Sequence, residues 1–469
     1  MPSNEISRRA VLRAAAVLGV SLPGLAACVT SGSGGGSSSA GGGDRSAANP
    51  FGVQADAPLE VVVFKGAYGD DYVIAAENGY KSRFSGAVID HKGIQKVGDT
   101  LRPRFVAGNP PDVVNNTGAG RLDIAALNQS KQLEVLDSLL DAPSWDDPNV
   151  KVRDTLLPGV VEDGTYDGSF VRLNYVYTAW GLWYSKPLFE KNGWRWPSTW
   201  PEMLALCEEI KKSGVAPWTY QGKFPEYVAD PLLVMAARGG GVDLLRSIDN
   251  LEPNAWRHES VKAAAEAIAE LSAKGYVMPG SEALSHTEAQ GAWCQGKAAI
   301  IPSGSWLESE QKSVTPAGFD MVMGAVPSLS SSDKLGSNAI HAASSEAYLV
   351  PSQAKNVPGG LDFLRMLFSR KAMNEFAKAV GTMPSVSGAT DGLTLSPALT
   401  SVTEAVKAAG TDMINYRHRT WYPTLTKAVD DGVGELVSLR ITPAEWVDRV
   451  QKAADDVAAD SSVKKYERR

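Results

Sequence analysis

Two short apolar runs near the start of the chain are each cut off by a polar turn. PLEVVVF (Pro58–Phe64) is β-branched and stops at KGAYGDD (Lys65–Asp71), and a helix is expected through Tyr72–Phe84. A second strand is expected near Ala87–Asp90, and a helix over Val97–Val106 runs into GNPPDVVNNTG (Gly108–Gly118). There Asp112–Val114 reads as a buried strand and Asn115–Gly118 as the turn at its carboxyl end. Strand and helix alternate, so an α/β fold is expected. In open α/β sheets, ligands bind beyond the carboxyl ends of strands. Lys65–Asp71 and Asn115–Gly118 therefore point at a shared crevice. Val160–Gly168 and Pro327–Gly336 read as surface loops, and there is no internal repeat.

The first residues concern export. Ser7–Arg13 (SRRAVLR) is a twin-arginine signal, and Val11–Ala27 is its apolar stretch. Arg13, Gly19 and Pro23 weaken that stretch as a permanent membrane helix. It closes on Leu25-Ala26-Ala27-Cys28, which resembles a bacterial lipobox with Cys28 as the acylated first residue. Thr30–Gly43 (TSGSGGGSSSAGGG) reads as a flexible tether. The mature chain is expected on a lipid anchor at the outer face of the cytoplasmic membrane.

That location and the composition exclude several functions. Scarce ATP outside the cell argues against a kinase or ATPase. Gly291, Gly296 and Lys297 do have the spacing of a phosphate-binding loop, but Ala298 stands where Ser or Thr must hold magnesium. The segments before it, Ser260–Val277 and His286–Lys297, read as helices, whereas such a loop follows a strand and opens a helix. Net charge is −7 with no basic arm or stripe, so nucleic acid is not an expected partner. Past the tether no apolar run is long enough to span a bilayer. His91, His258, His286, His341 and His418 are scattered without a metal-ligand pattern. No metal or cofactor is expected. Cys207 and Cys294 read as buried thiols, a disulfide between them being the alternative.

Four segments in order carry a family resemblance. RFVAGNPPDVV (Arg104–Val114) is similar to a helix end followed by G-x-P-P-D-V. Trp180–Gly214 is similar to a strand and helix of the form Y-N-K-x-L-F-x-K-x-G followed by P-x-T-W-x-E, with Ser185 in place of the asparagine and Thr199 as a helix N-cap. WCQGKAAIIPSGSW (Trp293–Trp306) resembles F-x-x-G-K-A-A-M-x-x-x-G-x-W, and Glu346–Ser385 is the fourth. They resemble the solute-binding proteins of bacterial carbohydrate ABC transporters, nearest to those for N-acetylglucosamine and its β-linked dimer. The resemblance implies a two-lobe, type II periplasmic-binding-protein-like α/β fold with a hinged cleft. The expected division is a signal peptide (1–27), a lipid-attached linker (28–56), lobe one (57–176 and 340–385) and lobe two (177–339 and 386–469). It also implies a monomer that captures a sugar and delivers it to permease subunits, with no covalent chemistry.

A pyranose is gripped by an aromatic ring on its C–H face and by hydrogen bonds around its rim. The chain carries 12 Trp and 14 Tyr to choose from. Trp306 is the first stacking candidate, and Lys297 is expected only to cap a helix. By resemblance, Asn415–Val429 matches the last helix of lobe two and brings Trp421, with Tyr422 as its alternative and Arg417 nearby. Trp218, Tyr220 and Trp180 follow predicted strand ends, and Tyr227 corresponds loosely to a cleft aromatic. For each of these, core packing is the competing reading. The rim candidates are Lys65, Asp70, Asn116 and Glu346. The expected ligand is uncharged. A secreted glycoside hydrolase would need two carboxyl groups flanking one bond, yet the acidic pairs found are adjacent in sequence. A polysaccharide adhesin is the other alternative.

Overall fold

The computed structural model describes residues 42–468 apart from 67, 119 and 411. The expected signal peptide, Cys28 and most of the tether lie outside the described residues. Nine strands form one sheet: β1 (Leu59–Phe64), β2 (Ile89–Ile94), β3 (Val113–Asn115), β6 (Leu173–Ser185), β7 (Ala216–Trp218), β8 (Ala298–Gly304), β9 (Met321–Gly324), β10 (Ile340–Leu349) and β11 (Met413–Ile414). β4 (Thr165–Tyr166) and β5 (Ser169–Phe170) form a separate hairpin. The main path runs β2-β1-β3-β10-β6-β8-β7, with β9 paired to β6 and β11 to β10.

Two long strands hold the path together. β6 has 13 residues, about 40 Å of extended chain. Its first half pairs antiparallel with β10, from Leu173 opposite Tyr348 to Ala179 opposite Ala342. Its second half pairs with β8 and β9. A third segment lies alongside: Val176 bridges Pro384, and the Ser385 amide donates to the Tyr175 carbonyl at 3.0 Å.

Side chains alternate across β1 and separate two cores. Val61 and Val63 pack with Val73, Tyr80 and Phe363 on one face, and Val62 packs with Val97, Leu101 and Phe105 on the other. The far half has its own core around Trp200, Trp218, Trp256, Ile300 and Trp446. The architecture is a two-lobe α/β fold, as expected from the sequence.

Local structure follows local chemistry. The helix Val97–Val106 has the expected bounds. Thr199 opens the helix Trp200–Lys212 with a reciprocal capping box to Glu202. The helix His286–Cys294 ends at Gly296, whose φ of 73° breaks it, and β8 follows. Helix then strand is the reverse of a phosphate-binding loop. Cys207 and Cys294 are buried free thiols, and burial pushes the Cys207 thiol up to about 12.

Several expectations need correction. The second strand starts at Ile89 rather than Ala87. Phe51 and Val53 are buried in the first core, so packed chain begins before residue 57, because these two apolar side chains have a core to enter. A further helix, Pro443–Ala459, follows Pro423–Val437, so the latter is not the last.

Val160–Gly168 is not a simple surface loop either. It forms a helical turn, Val160–Asp163, and Asp163 is buried. One carboxylate oxygen of Asp163 accepts from the Ser344 amide (2.8 Å) and hydroxyl (2.9 Å) in β10. The other accepts from Asn415 Nδ2 and Arg417 Nη1, both at 2.7 Å. Removing one side of a buried ion pair strands the other. Asp163→Ala is expected to lower unfolding free energy by about 3 kcal/mol in chemical denaturation, and Asp163→Asn by less, since its amide oxygen still accepts. An unchanged midpoint in both would remove Asp163 from this tying role.

Candidate functional site

A cavity of about 420 Å³ opens over the paired strands β6 and β10, within the size range of small-ligand sites. Thr178 and Trp180 of β6 and His341, Ala343, Ser345 and Glu346 of β10 form its floor. The Thr178 and Ser345 hydroxyls are 3.0 Å apart and bind each other. Phe64, Tyr68 and Tyr72 wall one side, and Trp306 and Glu310 the other.

The aromatic walls are set by close packing. Trp180 meets Trp306 edge to face, with centroids 4.7 Å apart at 86°. Tyr227 braces both rings, at 5.5 Å from Trp180 and 6.1 Å from Trp306. Trp306 lies directly over Gly304, where an added Cβ would fall 2.1 Å from the indole. Phe64 is likewise held between Gly66 and Gly118, at 2.2 and 2.4 Å from the Cβ positions those residues lack. Tyr72 donates or accepts at the Tyr348 hydroxyl (2.9 Å) and stacks on Tyr175.

The polar groups include hydroxyls, one imidazole and two carboxyls. His341 stacks nearly parallel to Trp180, at 13° and 6.0 Å. Its Nδ1 is tied to buried Asp230. Glu310 has Oε1 3.3 Å from His286 Nε2, while Oε2 is buried without a partner. Glu346 has a φ of 62° in the middle of a strand, a conformation that costs a non-glycine residue about 1–3 kcal/mol. Burial pushes its carboxyl up to about 7, against the opposing effects of the Thr117 hydroxyl and Arg121. Tyr68 is pushed above the usual phenol range by burial first, then by Glu346 and by Glu310.

Of the residues expected from sequence, Trp306, Trp180 and Glu346 line this cavity, and Tyr227 stands behind two of them. The others are elsewhere. Trp218, at the end of β7, and Tyr220, two residues beyond it, are core residues of the far lobe, 2% and 4% exposed, because both side chains pack into its apolar cluster. Asn116 is fully committed to a loop clamp, exchanging hydrogen bonds with the Leu122 backbone (3.0 and 2.8 Å). Asp70 is tied to Lys65 (3.0 Å) and His91 (3.3 Å), and Lys65 is exposed. Trp421 stacks on Tyr466 at 5.2 Å, Tyr422 is buried, and Arg417 is spent on Asp163.

Tyr68, Tyr72, Phe64, His341 and Glu310 were not anticipated. Tyr68 sits in the turn already assigned to the crevice, and Glu310 is one helical turn beyond Trp306. Those spacings were readable signals. The position of His341 depends on the β6–β10 register and has no local signal.

Two α/β lobes with an aromatic cavity over their paired strands define a solute-binding fold. Residues 70–374 match the model of the bacterial extracellular solute-binding protein family, and the chain belongs to that family. It is 36% identical over 436 residues to the diacetylchitobiose binding protein NgcE of Streptomyces coelicolor, covering 90% of this chain and 89% of that protein. It is 26% identical over 213 residues to a probable sugar-binding periplasmic protein of Rhizobium meliloti, covering 45% of this chain and 48% of that one. Among solved structures, a chitin oligosaccharide binding protein matches with a TM-score of 0.68 over 87% of this chain and all of that one, at 18% identity. The apo form of RafE from Streptococcus pneumoniae matches with 0.70 over 86% and 99%, at 16% identity. At those identities the structures speak for the fold alone.

Glu346 has a consequence for stability. Its folded pKa lies above the ordinary 4.5, so the folded state holds more protons between the two values. The stability it contributes is present below the lower value and is lost as pH rises through about 7. The difference in unfolding free energy between the wild type and Glu346→Gln is expected to fall across that window, at no more than about 1.4 kcal/mol per pH unit. Parallel pH profiles in urea denaturation would refute it.

Proposed function

We propose that this chain is an extracytoplasmic carbohydrate receptor that captures N-acetylglucosamine or its β-linked dimer and delivers it to the permease of an ABC transporter. The observation that carries this reading is the cavity over β6 and β10, walled by the mutually perpendicular Trp180 and Trp306. Perpendicular indoles offer one face to a sugar ring and leave a second edge to fix its tilt. The Thr178 and Ser345 hydroxyls and the Glu310, Glu346 and His341 side chains supply rim partners. The likeness to a protein named for diacetylchitobiose binding supports the choice of sugar.

In this reading lobe one comprises 51–176 and 340–385, its start moved back to take in Phe51 and Val53, and lobe two 177–339 and 386–469, with the chain crossing three times. Ligand bridges the walls, and closure follows because only the closed form makes both sets of contacts. Acylated Cys28 holds the protein at the outer face of the membrane, and it acts as a monomer without a cofactor or covalent chemistry. Among the described residues no helix is long and apolar enough to cross a membrane.

Isothermal titration of the lipid-free chain with the N-acetylglucosamine dimer tests this. Trp306→Ala is expected to raise Kd about 30-fold or more, the loss of roughly 2 kcal/mol typical of a central aromatic anchor. Trp218→Phe, in the core, is expected to leave Kd within about twofold, since a substitution away from the site acts on stability. Two carboxyl groups in one cavity make hydrolysis the competing chemistry. Intact dimer recovered after incubation is the expected result, and released monosaccharide would make the protein an enzyme.

A further inference from the structure

We propose that the cavity prefers amino sugars carrying a free ammonium group over their neutral counterparts, and rejects acidic sugars. The inference rests on the carbohydrate reading and departs from the uncharged ligand expected from the sequence.

The cavity lining holds two carboxyl side chains, Glu310 and Glu346, and, among the described residues, neither lysine nor arginine. Neither carboxyl group has a lysine or arginine partner in the cavity, and Glu346, which burial pushes up to about 7, is partly protonated near neutral pH and releases that proton as a cation arrives. Glu310 has one oxygen beside His286 and the other buried without a hydrogen-bond partner. Glu346 is opposed in charge only by a longer-range effect from Arg121, and the Thr117 hydroxyl is itself buried without a partner. Both line the same cavity as Tyr68, and the negative charge of each holds the Tyr68 phenol above its ordinary range.

A buried carboxylate without a cation is costly. A hydroxyl from a neutral sugar donates one hydrogen bond to it and leaves the charge in place. An ammonium donates up to three and cancels charge as well. Trp180 and Trp306 add a second attraction, since the face of an indole draws a cation. A uronic acid would place a further acid among these groups with only His341, already tied to Asp230, as a base to receive it, and like charges in low dielectric repel strongly.

The test uses four β-linked disaccharides: the N-acetylglucosamine dimer, its half-deacetylated and fully deacetylated forms, and a dimer containing a uronic acid. Each is titrated calorimetrically into the full lipid-free chain just below neutral pH, at low and at high salt. The expected result is that a free-amine dimer binds about tenfold tighter than the acetylated one at low salt, the scale of a charge-assisted bond. The ratio should shrink at high salt, as an ionic contact must, and fall toward one in Glu310→Gln and in Glu346→Gln. The uronic dimer should give no heat. A wild-type ratio of one or less, or a ratio insensitive to salt, overturns the proposal even if neither variant folds. Persistence of the preference in both folded variants overturns it as well. Binding of the acetylated dimer alone sinks this inference and leaves the receptor reading intact, whereas no binding by any dimer sinks both.

Discussion

The antiparallel pairing of β6 with β10 is the constraint on which the rest of the structure depends. It joins the two halves of the sheet, since β3 reaches β6 only through β10 and β8 reaches β10 only through β6. It also makes the cavity floor. Register decides which side chains stand there: Thr178 lies opposite Ala343, and Val176 opposite Ser345. A slip of one residue would turn Trp180 from the cavity toward the opposite face of the sheet. Asp163 secures the arrangement by gripping β10 at Ser344 with one oxygen and the Asn415–Arg417 segment with the other.

The walls depend on absent side chains as much as on present ones. Gly304 permits the Trp306 indole to lie against the end of β8, and Gly66 with Gly118 encloses Phe64. In each case the aromatic ring occupies the space of a missing Cβ, which fixes its orientation without a hydrogen bond. Trp180 gains its orientation differently, from Tyr227 and His341 packed around it. Rings held this way are oriented before any ligand arrives, so little ordering is left to oppose binding.

How much of this was legible in the sequence depended on range. The helix Val97–Val106 and the capping of the next helix at Thr199 are local events, written in residues three or four apart; the first was read with its bounds, and Thr199 as an N-cap without its reciprocal bond to Glu202. Trp306 followed from the resemblance of Trp293–Trp306 to the family pattern, whose closing tryptophan it matches. Residues whose environment is set by distant chain were not separable by pattern. Trp180 and Trp218 both end predicted strands, yet one lines the cavity and the other is enclosed between a helix and the sheet. Asn116 and Arg417 are polar residues of the right type near the right segments. Their hydrogen bonds go to Leu122 and Asp163, and no spacing rule announces either partner. Asp163 was passed over because four hydrogen bonds from other parts of the chain make it important, while its own neighbours, Val160–Gly168, read as a loop.

Glu346 concentrates several unfavourable terms at one point of the floor. Its φ of 62° is strained for a side chain with a Cβ, and it interrupts a strand whose register is otherwise continuous from Ala342 to Tyr348. Its carboxyl is desolvated enough to raise its pKa to about 7. A glutamine would relieve the charge, and a glycine would relieve the backbone. Neither relief is present in the chain, and the surrounding structure sustains both costs: Ser345 and Ala347 remain paired on either side, and the Asn116 amide holds the Ala347 carbonyl at 2.7 Å. Strain and burial sustained together beside an open cavity are what a ligand-contacting group requires, because a bound donor can satisfy the carboxyl while the pairing on either side keeps it from turning away.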